Sequence, residues 1–275
     1  MRLTAVIFAF LASTGAAAAA PELVEIQEGA AKLKAFLYRP AGDGPFPAIV
    51  ALHGCGGLSG RSGPVSTRYR DWGERLSAAG FAVLFPDSFG SRGLASQCTV
   101  RERSVRTARE RVADAIAARR WLQNQSWVVA GRVSLLGWQN GAVAALWTIR
   151  RRGSTGANES AADFRSAVVL YPGCRRLSQT EWSARVPTLV LVGASDDWGP
   201  ASACEQMVAS ARGRSAQTQI VVYPGAYAEF DHPNMPMRQL TGLAFSADGS
   251  GHAHTGTNPA ARADAIKRVP EWLAR

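Results

Sequence analysis

The sequence predicts an α/β fold, a mostly parallel central sheet with helices on both faces in a single domain. Three observations predict it. Short apolar runs alternate along the chain with segments of helical periodicity. Runs such as AIVALH at 48–53 are apolar throughout, as strands buried on both faces are. Gly-rich loops follow several of these runs, at the carboxyl ends of strands where sites form in open α/β sheets. The 275 residues are 47% hydrophobic and include eight Trp and ten Phe. That content supports an ordinary core and excludes a disordered chain.

Residues 1–20 stand apart from the fold. Met1-Arg2 gives a positive start, 3–12 (LTAVIFAFLA) an apolar stretch, and 13–20 a run of small residues. This is the three-part pattern of a secretory signal peptide, with cleavage expected after Ala18 or Ala19. No apolar run reaches the roughly 20 residues of a membrane-spanning helix. The domain therefore begins at 21 and ends at 275. Strands are expected at 33–38, 48–53, 81–85, 132–136, 167–171, 188–192 and 219–223. Helices are expected at 69–79, 100–122, from 141 to 149, at 201–211 and at 259–273, several closed by Gly or opened by Pro.

Export sets how charge and cysteines are read. The net charge of +10 invites a nucleic-acid partner, yet no nucleic-acid module is present, and a periplasmic or secreted protein does not meet nuclear or cytosolic nucleic acid. Seven arginines (Arg101, Arg103, Arg106, Arg109, Arg111, Arg119 and Arg120) fall in the predicted 100–122 helix, against Glu102, Glu110 and Asp114. A solvated outer face, suited to an anionic envelope surface, is the expectation. Cys55, Cys98, Cys174 and Cys204 form an even set in an oxidising compartment, which predicts disulfides; three connectivities are open. None has CxxC spacing, and His252-x-His254 lacks a nearby third ligand, so no metal is expected.

Four loops carry the chemistry: His53-Gly54-Cys55-Gly56-Gly57, the segment 86–93 (PDSFGSRG), Gly137-Trp138-Gln139-Asn140-Gly141, and 193–200 (GASDDWGP). The third has the shape of a nucleophile elbow, G-x-S-x-G, with its glycines where helix and strand approach closely. With 38–57, 133–141, DDWGP (196–200) and YPGAY–EFDHPN (223–234), these motifs resemble the dienelactone hydrolase-like family of α/β-hydrolases in its exported branch. The resemblance covers nearly all of 21–275. It implies an α/β-hydrolase fold and ester or lactone hydrolysis through a Ser/Cys–His–Asp triad without a cofactor. Through the family's strand order it also implies Cys55–Cys98 and Cys174–Cys204 bridges.

Two triad positions depart from that pattern. Gln139 stands at the nucleophile and Ala228 at the histidine; Asp196 retains the acid, with Asp197 beside it. A carboxamide has no titratable proton, and alanine accepts none, so neither nucleophile nor base is present. The expectation is a pseudo-hydrolase that keeps a pocket for a small, anionic or ester-like ligand. Oxyanion donors are expected from Asn140 and the Gly54-Cys55 turn, with Arg92 as an added charge. His53 is expected to shape the oxyanion turn, and Trp138 and Trp198 to pack at the site. The alternative is an active hydrolase with an unrecognised nucleophile or His232 as base; Cys55 is the thiol of a site loop, with a disulfide its expected fate, and Ser88 and Ser91 on the neighbouring loop have no histidine motif beside them.

Overall fold

The structure is a computed structural model that describes residues 20–28, 31–61, 63–151 and 163–275. The expected signal peptide, apart from Ala20, lies outside the described residues. Eight strands form one sheet: β1 (Glu22–Glu28), β2 (Ala31–Tyr38), β3 (Phe46–Leu52), β4 (Ala82–Pro86), β5 (Val128–Trp138), β6 (Ala167–Leu170), β7 (Thr188–Gly193) and β8 (Thr218–Tyr223). Their order is β1-β2-β4-β3-β5-β6-β7-β8, parallel from β4 to β8, with β2 antiparallel to both neighbours. This is the predicted mostly parallel sheet, extended at one edge by β1, whose polar alternation (ELVEIQE) hides it from a search for apolar runs.

The sheet is covered on both faces. Ala48, Val50 and Leu52 of β3 join one apolar cluster, while Ile49 and Ala51 join the other, which is why β3 is apolar at every position. Helices α2 (Glu110–Gln123), α3 (Asn140–Thr148) and α5 (Ala201–Ser210) pack on the first face. Helices α1 (Thr67–Ala78) and α6 (Pro259–Leu273) pack on the second. Helix α4 (Arg175–Ser178) is one short turn, and β9 (Arg238–Leu240) pairs with β10 (Ala253–Thr255) in a separate hairpin. Asn258 caps α6 by accepting from the Ala261 N–H at 3.0 Å, with Pro259 opening the helix.

The arginine-rich helix differs from its prediction. Residues 100–109 form turns, and α2 starts only at Glu110. The Glu110 carboxylate accepts from the backbone N–H and the guanidinium of Arg106, closing a turn before the helix begins. Upstream, a Cys55–Cys98 disulfide and a 2.8 Å bond from the Gln97 N–H to the Cys55 carbonyl draw the chain over the strand ends. Only Arg111, Arg119 and Arg120 lie on α2, and the first two are buried. The expected solvated arginine face is therefore absent from that helix: sequence periodicity does not register the long-range bonds that redirect the chain.

The bridges are Cys55–Cys98 and Cys174–Cys204, with Cα separations of 4.9 and 5.0 Å. Among the described residues no helix is long and apolar enough to cross a membrane. Closing a loop of sequence separation 30, the Cys174–Cys204 bridge constrains the unfolded chain. Replacing both cysteines by serine is expected to lower stability by about 2–4 kcal/mol, read as a lower urea midpoint. An unchanged midpoint would contradict this.

Candidate functional site

Strand β5 ends at the fully buried Trp138, and the chain turns through Gln139 into α3. Gln139 has φ 47° and ψ −110°, a conformation that costs a residue with a Cβ on the order of 1–3 kcal/mol. The flanking glycines are needed sterically. A Cβ on Gly141 would lie 2.0 Å from the Leu52 carbonyl oxygen, and one on Gly137 2.7 Å from that of Gly141. The elbow is thus built as the motif predicts.

The Gln139 side chain folds back onto its own turn. Its Oε1 accepts the Asn140 N–H at 2.7 Å and the Cys55 N–H at 2.9 Å. These two N–H groups come from the start of α3 and from the turn after β3, the pair expected to form an oxyanion hole. The third expected donor, the Gly54 N–H, is given to the Tyr69 hydroxyl at 2.7 Å. His53 holds the turn by a 2.8 Å bond between Nδ1 and the Gly54 carbonyl, and burial pushes its imidazole well below the ordinary range. Cys55 is bridged and presents no thiol.

Asp196 sits on the loop after β7, which is tied to the 226–228 segment by a 3.0 Å bond from Ser195 N–H to the Ala226 carbonyl. Its Oδ1 accepts the Trp198 and Gly199 N–H groups at 2.9 Å each; its Oδ2 is buried without a partner. Burial raises this carboxyl to about 7, against the opposing pull of the two N–H groups. Ala228 is buried and bridges to Thr255 in parallel. Asp197 is committed to His254, through Nδ1 at 2.7 Å and the backbone N–H at 2.8 Å. His254 pairs across the hairpin with Gln239, whereas Arg238 and Leu240 line the cavity described below. Strand alternation therefore turns the His254 imidazole away from that cavity.

Gly54, Cys55, Gln139, Trp198 and Leu243 line a cavity of about 300 Å³, together with the charged Arg68, Glu229 and Arg238. A wider groove of about 540 Å³, between β1 and α2, contains none of these residues. Arg68 donates to Glu229 at 2.8 Å, to the Tyr171 hydroxyl at 3.1 Å and to the Tyr69 hydroxyl at 2.9 Å. Behind the elbow, the buried Asp231 carboxylate accepts from Trp72 Nε1 (2.6 Å), Trp138 Nε1 (2.8 Å) and the Tyr171 hydroxyl (2.7 Å). Arg111, also fully buried, donates to the Asn140 carboxamide oxygen at 2.6 Å and lies over the Phe89 ring. Burial lowers its guanidinium to about 10.

Several sequence expectations land elsewhere. Arg92 grips Asp114 at 2.7 and 3.0 Å and donates to the Ser88 carbonyl; it does not line the cavity. An adjacent buried carboxylate captured it, and Arg68 and Arg238 supply the cavity's positive charge instead. His232 bonds the Pro233 carbonyl through Nδ1 and is also outside the cavity lining; burial lowers its pKa. Ser91 accepts from the Lys34 N–H, and the Ser88 hydroxyl is buried without a partner. Sequence reading missed Arg68, Arg111 and Asp231. Asp231 lies within the EFDHPN match, a signal that was available, whereas Arg111 looks like every other arginine in its run.

An elbow on a central strand, a donor pair beside it and an acid after a later strand, at the carboxyl ends of a mostly parallel sheet, define an α/β-hydrolase. The sequence profile of the dienelactone hydrolase family matches residues 33–275, and the chain belongs to that family. A protein of Klebsiella pneumoniae subsp. pneumoniae carrying the name dienelactone hydrolase shares the fold, with a TM-score of 0.68, 19% identity, and 93% and 98% of the two chains covered. Thermogutta terrifontis esterase 2, in its form phosphoramylated by tabun, aligns with a TM-score of 0.64 at 18% identity over 94% and 95%. A dienelactone hydrolase-like promiscuous phosphotriesterase from metagenomic libraries gives 0.67 at 17% over 92% and 97%. No curated protein matches the chain in sequence.

The Asp196 environment predicts a pH signature. Its ordinary value is 3.8 and burial raises it to about 7 in the fold. Between these values the unfolded chain has released a proton that the folded chain still holds. This contribution to stability is therefore lost as pH rises from about 4 to 7, and is level above. In Asp196→Asn this component of the slope should vanish, as followed by urea denaturation across that range; an unchanged slope would refute the assignment. Asp231→Ala leaves two indole N–H groups and a phenol without their acceptor. It should cost at least about 3 kcal/mol in the same measurement.

Proposed function

We propose that this protein is an exported member of its family that has lost acyl-transfer catalysis and keeps its cavity for binding a small anionic or ester-like molecule. The observation that carries the reading is the Gln139 carboxamide oxygen accepting from both Asn140 and Cys55 N–H groups. In a hydrolase that donor pair stabilises the negative charge that develops on an acyl oxygen. Here it is occupied by the side chain standing at the nucleophile position, so one substitution removes the nucleophile and fills the hole. A carboxamide nitrogen shares its lone pair with the carbonyl and has no proton to give up near neutral pH, so activation by a base is not open to it.

The histidine position supports the same reading. The Asp196 carboxylate would orient an imidazole, but Ala228 supplies none, and Oδ2 is left without a partner. His232 makes no bond to Asp196 or Gln139 among the described residues, its Nδ1 being engaged with the Pro233 carbonyl. Export is supported by the signal-like segment 1–20 and by two disulfides, which are compatible with an oxidising compartment such as the periplasm or the exterior.

Incubation with an activated ester such as p-nitrophenyl acetate tests the catalytic half. The wild-type protein should show no saturable turnover. Gln139→Ser and Ala228→His should each remain at background, because nucleophile and base act as a unit. The double variant should exceed both by about 10²–10⁴-fold. Saturable wild-type turnover that is lost on mutating a cavity residue would overturn the reading.

A further inference from the structure

We infer that the outer surface formed by the 100–109 turns, the loop around Phe245 and helix α4 docks on an anionic lipid bilayer, with Phe245 as its apolar anchor. The arginine run that α2 does not absorb supplies much of the charge.

Phe245 is 55% exposed; among the described residues the other exposed large apolar side chains are Leu23 and Met237. A lone exposed apolar side chain is ordinary, but this one stands between two cations. The Arg103 guanidinium lies over its ring, 5.2 Å from the centroid. Two residues further on, the Ala247 carbonyl accepts from Arg175. Arg103 also donates to the Val100 carbonyl at 3.0 Å, and neither arginine forms an ion pair among the described residues. Both charges are therefore open to a partner. Around them, the turns expose Arg101, Arg106 and Arg109, and α4 exposes Arg176. Glu102, Glu110 and Asp248 oppose these six arginines, and Asp248 is engaged by the Ser246 and Ser250 hydroxyls.

The three segments form a fixed surface. The Ala244 N–H donates to the Cys98 carbonyl at 2.9 Å, and Cys98 is bridged to Cys55. The Ala247 N–H donates to the Asp197 carbonyl at 2.9 Å, and the Cys174–Cys204 bridge holds the start of α4. Little chain must be ordered when such a surface binds. On an anionic bilayer the phenyl ring enters the boundary between headgroups and acyl chains, while the guanidinium groups stay level with the phosphates. Each arginine near such a surface contributes about fivefold in affinity. A single-stranded nucleic acid is bound instead by several aromatic platforms along a groove. Here a single ring is offered, and Arg103 already covers one of its faces.

Vesicle co-sedimentation tests the inference, using protein that lacks residues 1–19 but keeps every described residue. The apolar stretch 3–12 then cannot contribute. Vesicles with about 30% phosphatidylglycerol should bind at least about tenfold more tightly than pure phosphatidylcholine, and about 0.5 M salt should remove most of the difference. Phe245→Ala should weaken binding to the anionic vesicles at least about threefold. Replacing Arg103 and Arg175 together by Gln should weaken it at least about tenfold, whereas Lys at both positions should retain most of it, because a bilayer reads charge more than fork geometry. Arg212→Gln removes an exposed arginine between α5 and β8, at the opposite end of the sheet, and should change binding less than about twofold. Binding indifferent to phosphatidylglycerol, unchanged in Phe245→Ala, or weakened as much by Arg212→Gln would overturn the inference. So would tighter binding of a single-stranded oligonucleotide than of the anionic vesicles at matched phosphate concentration.

Discussion

The Asp231 carboxylate collects hydrogen bonds from three parts of the fold. Trp72 comes from α1, Trp138 from the end of β5, and Tyr171 from the residue after β6. A fully buried carboxylate is costly unless its lone pairs are filled, and here both oxygens are. Because Trp138 immediately precedes Gln139, the bond to its indole holds the elbow. Because Asp231 lies three residues beyond Ala228, the same carboxylate anchors the loop on which the family carries its histidine. Arg68 extends the network, joining Tyr171 to Glu229 and, through the Tyr69 hydroxyl, to the Gly54 N–H. The cavity walls are therefore organised from behind by Asp231 and its partners, with Arg68 and Glu229 joining that network to the lining.

That organisation explains how the elbow and its surroundings hold their shape with glutamine at the turn and alanine at position 228. The strained backbone at Gln139, the close approach at Gly141 and the buried Asp196 are demands of the scaffold. A glutamine at the elbow suits the scaffold well, because its carboxamide satisfies two N–H groups that would otherwise face the cavity. Asp196 has no such compensation. Its Oδ2 is buried without a partner, and its elevated pKa is the electrostatic consequence of burial without a cation.

Much of this was legible in the residues. The alternation of apolar runs and helical segments gave the layered sheet. The G-W-Q-N-G turn marked the elbow, and the family's strand order placed the four cysteines in their two pairs. The signal-like segment lies outside the described residues and stays a sequence expectation. What was not legible shares one cause. Arg92 and Arg68 are both arginines near the strand ends, and only the position of Asp114 decides that the first is captured while the second faces the cavity. The turns at 100–109 likewise follow from Glu110 and the bridge at Cys98, not from local periodicity.

The sequence by itself determined the class of fold and which residue types stand at the family's motif positions, Gln139, Ala228 and Asp196. Each of these depends on residue type at a motif position, and a glutamine or alanine cannot acquire a proton-transfer role from its surroundings. Only the tertiary structure decided where the Gln139 carboxamide points, which arginines line the cavity, and that His254 turns away from it. Those outcomes depend on distances between residues far apart in the chain. Hydrogen bonds and ion pairs act over a few ångströms, and a linear pattern does not record which groups the fold brings within that reach.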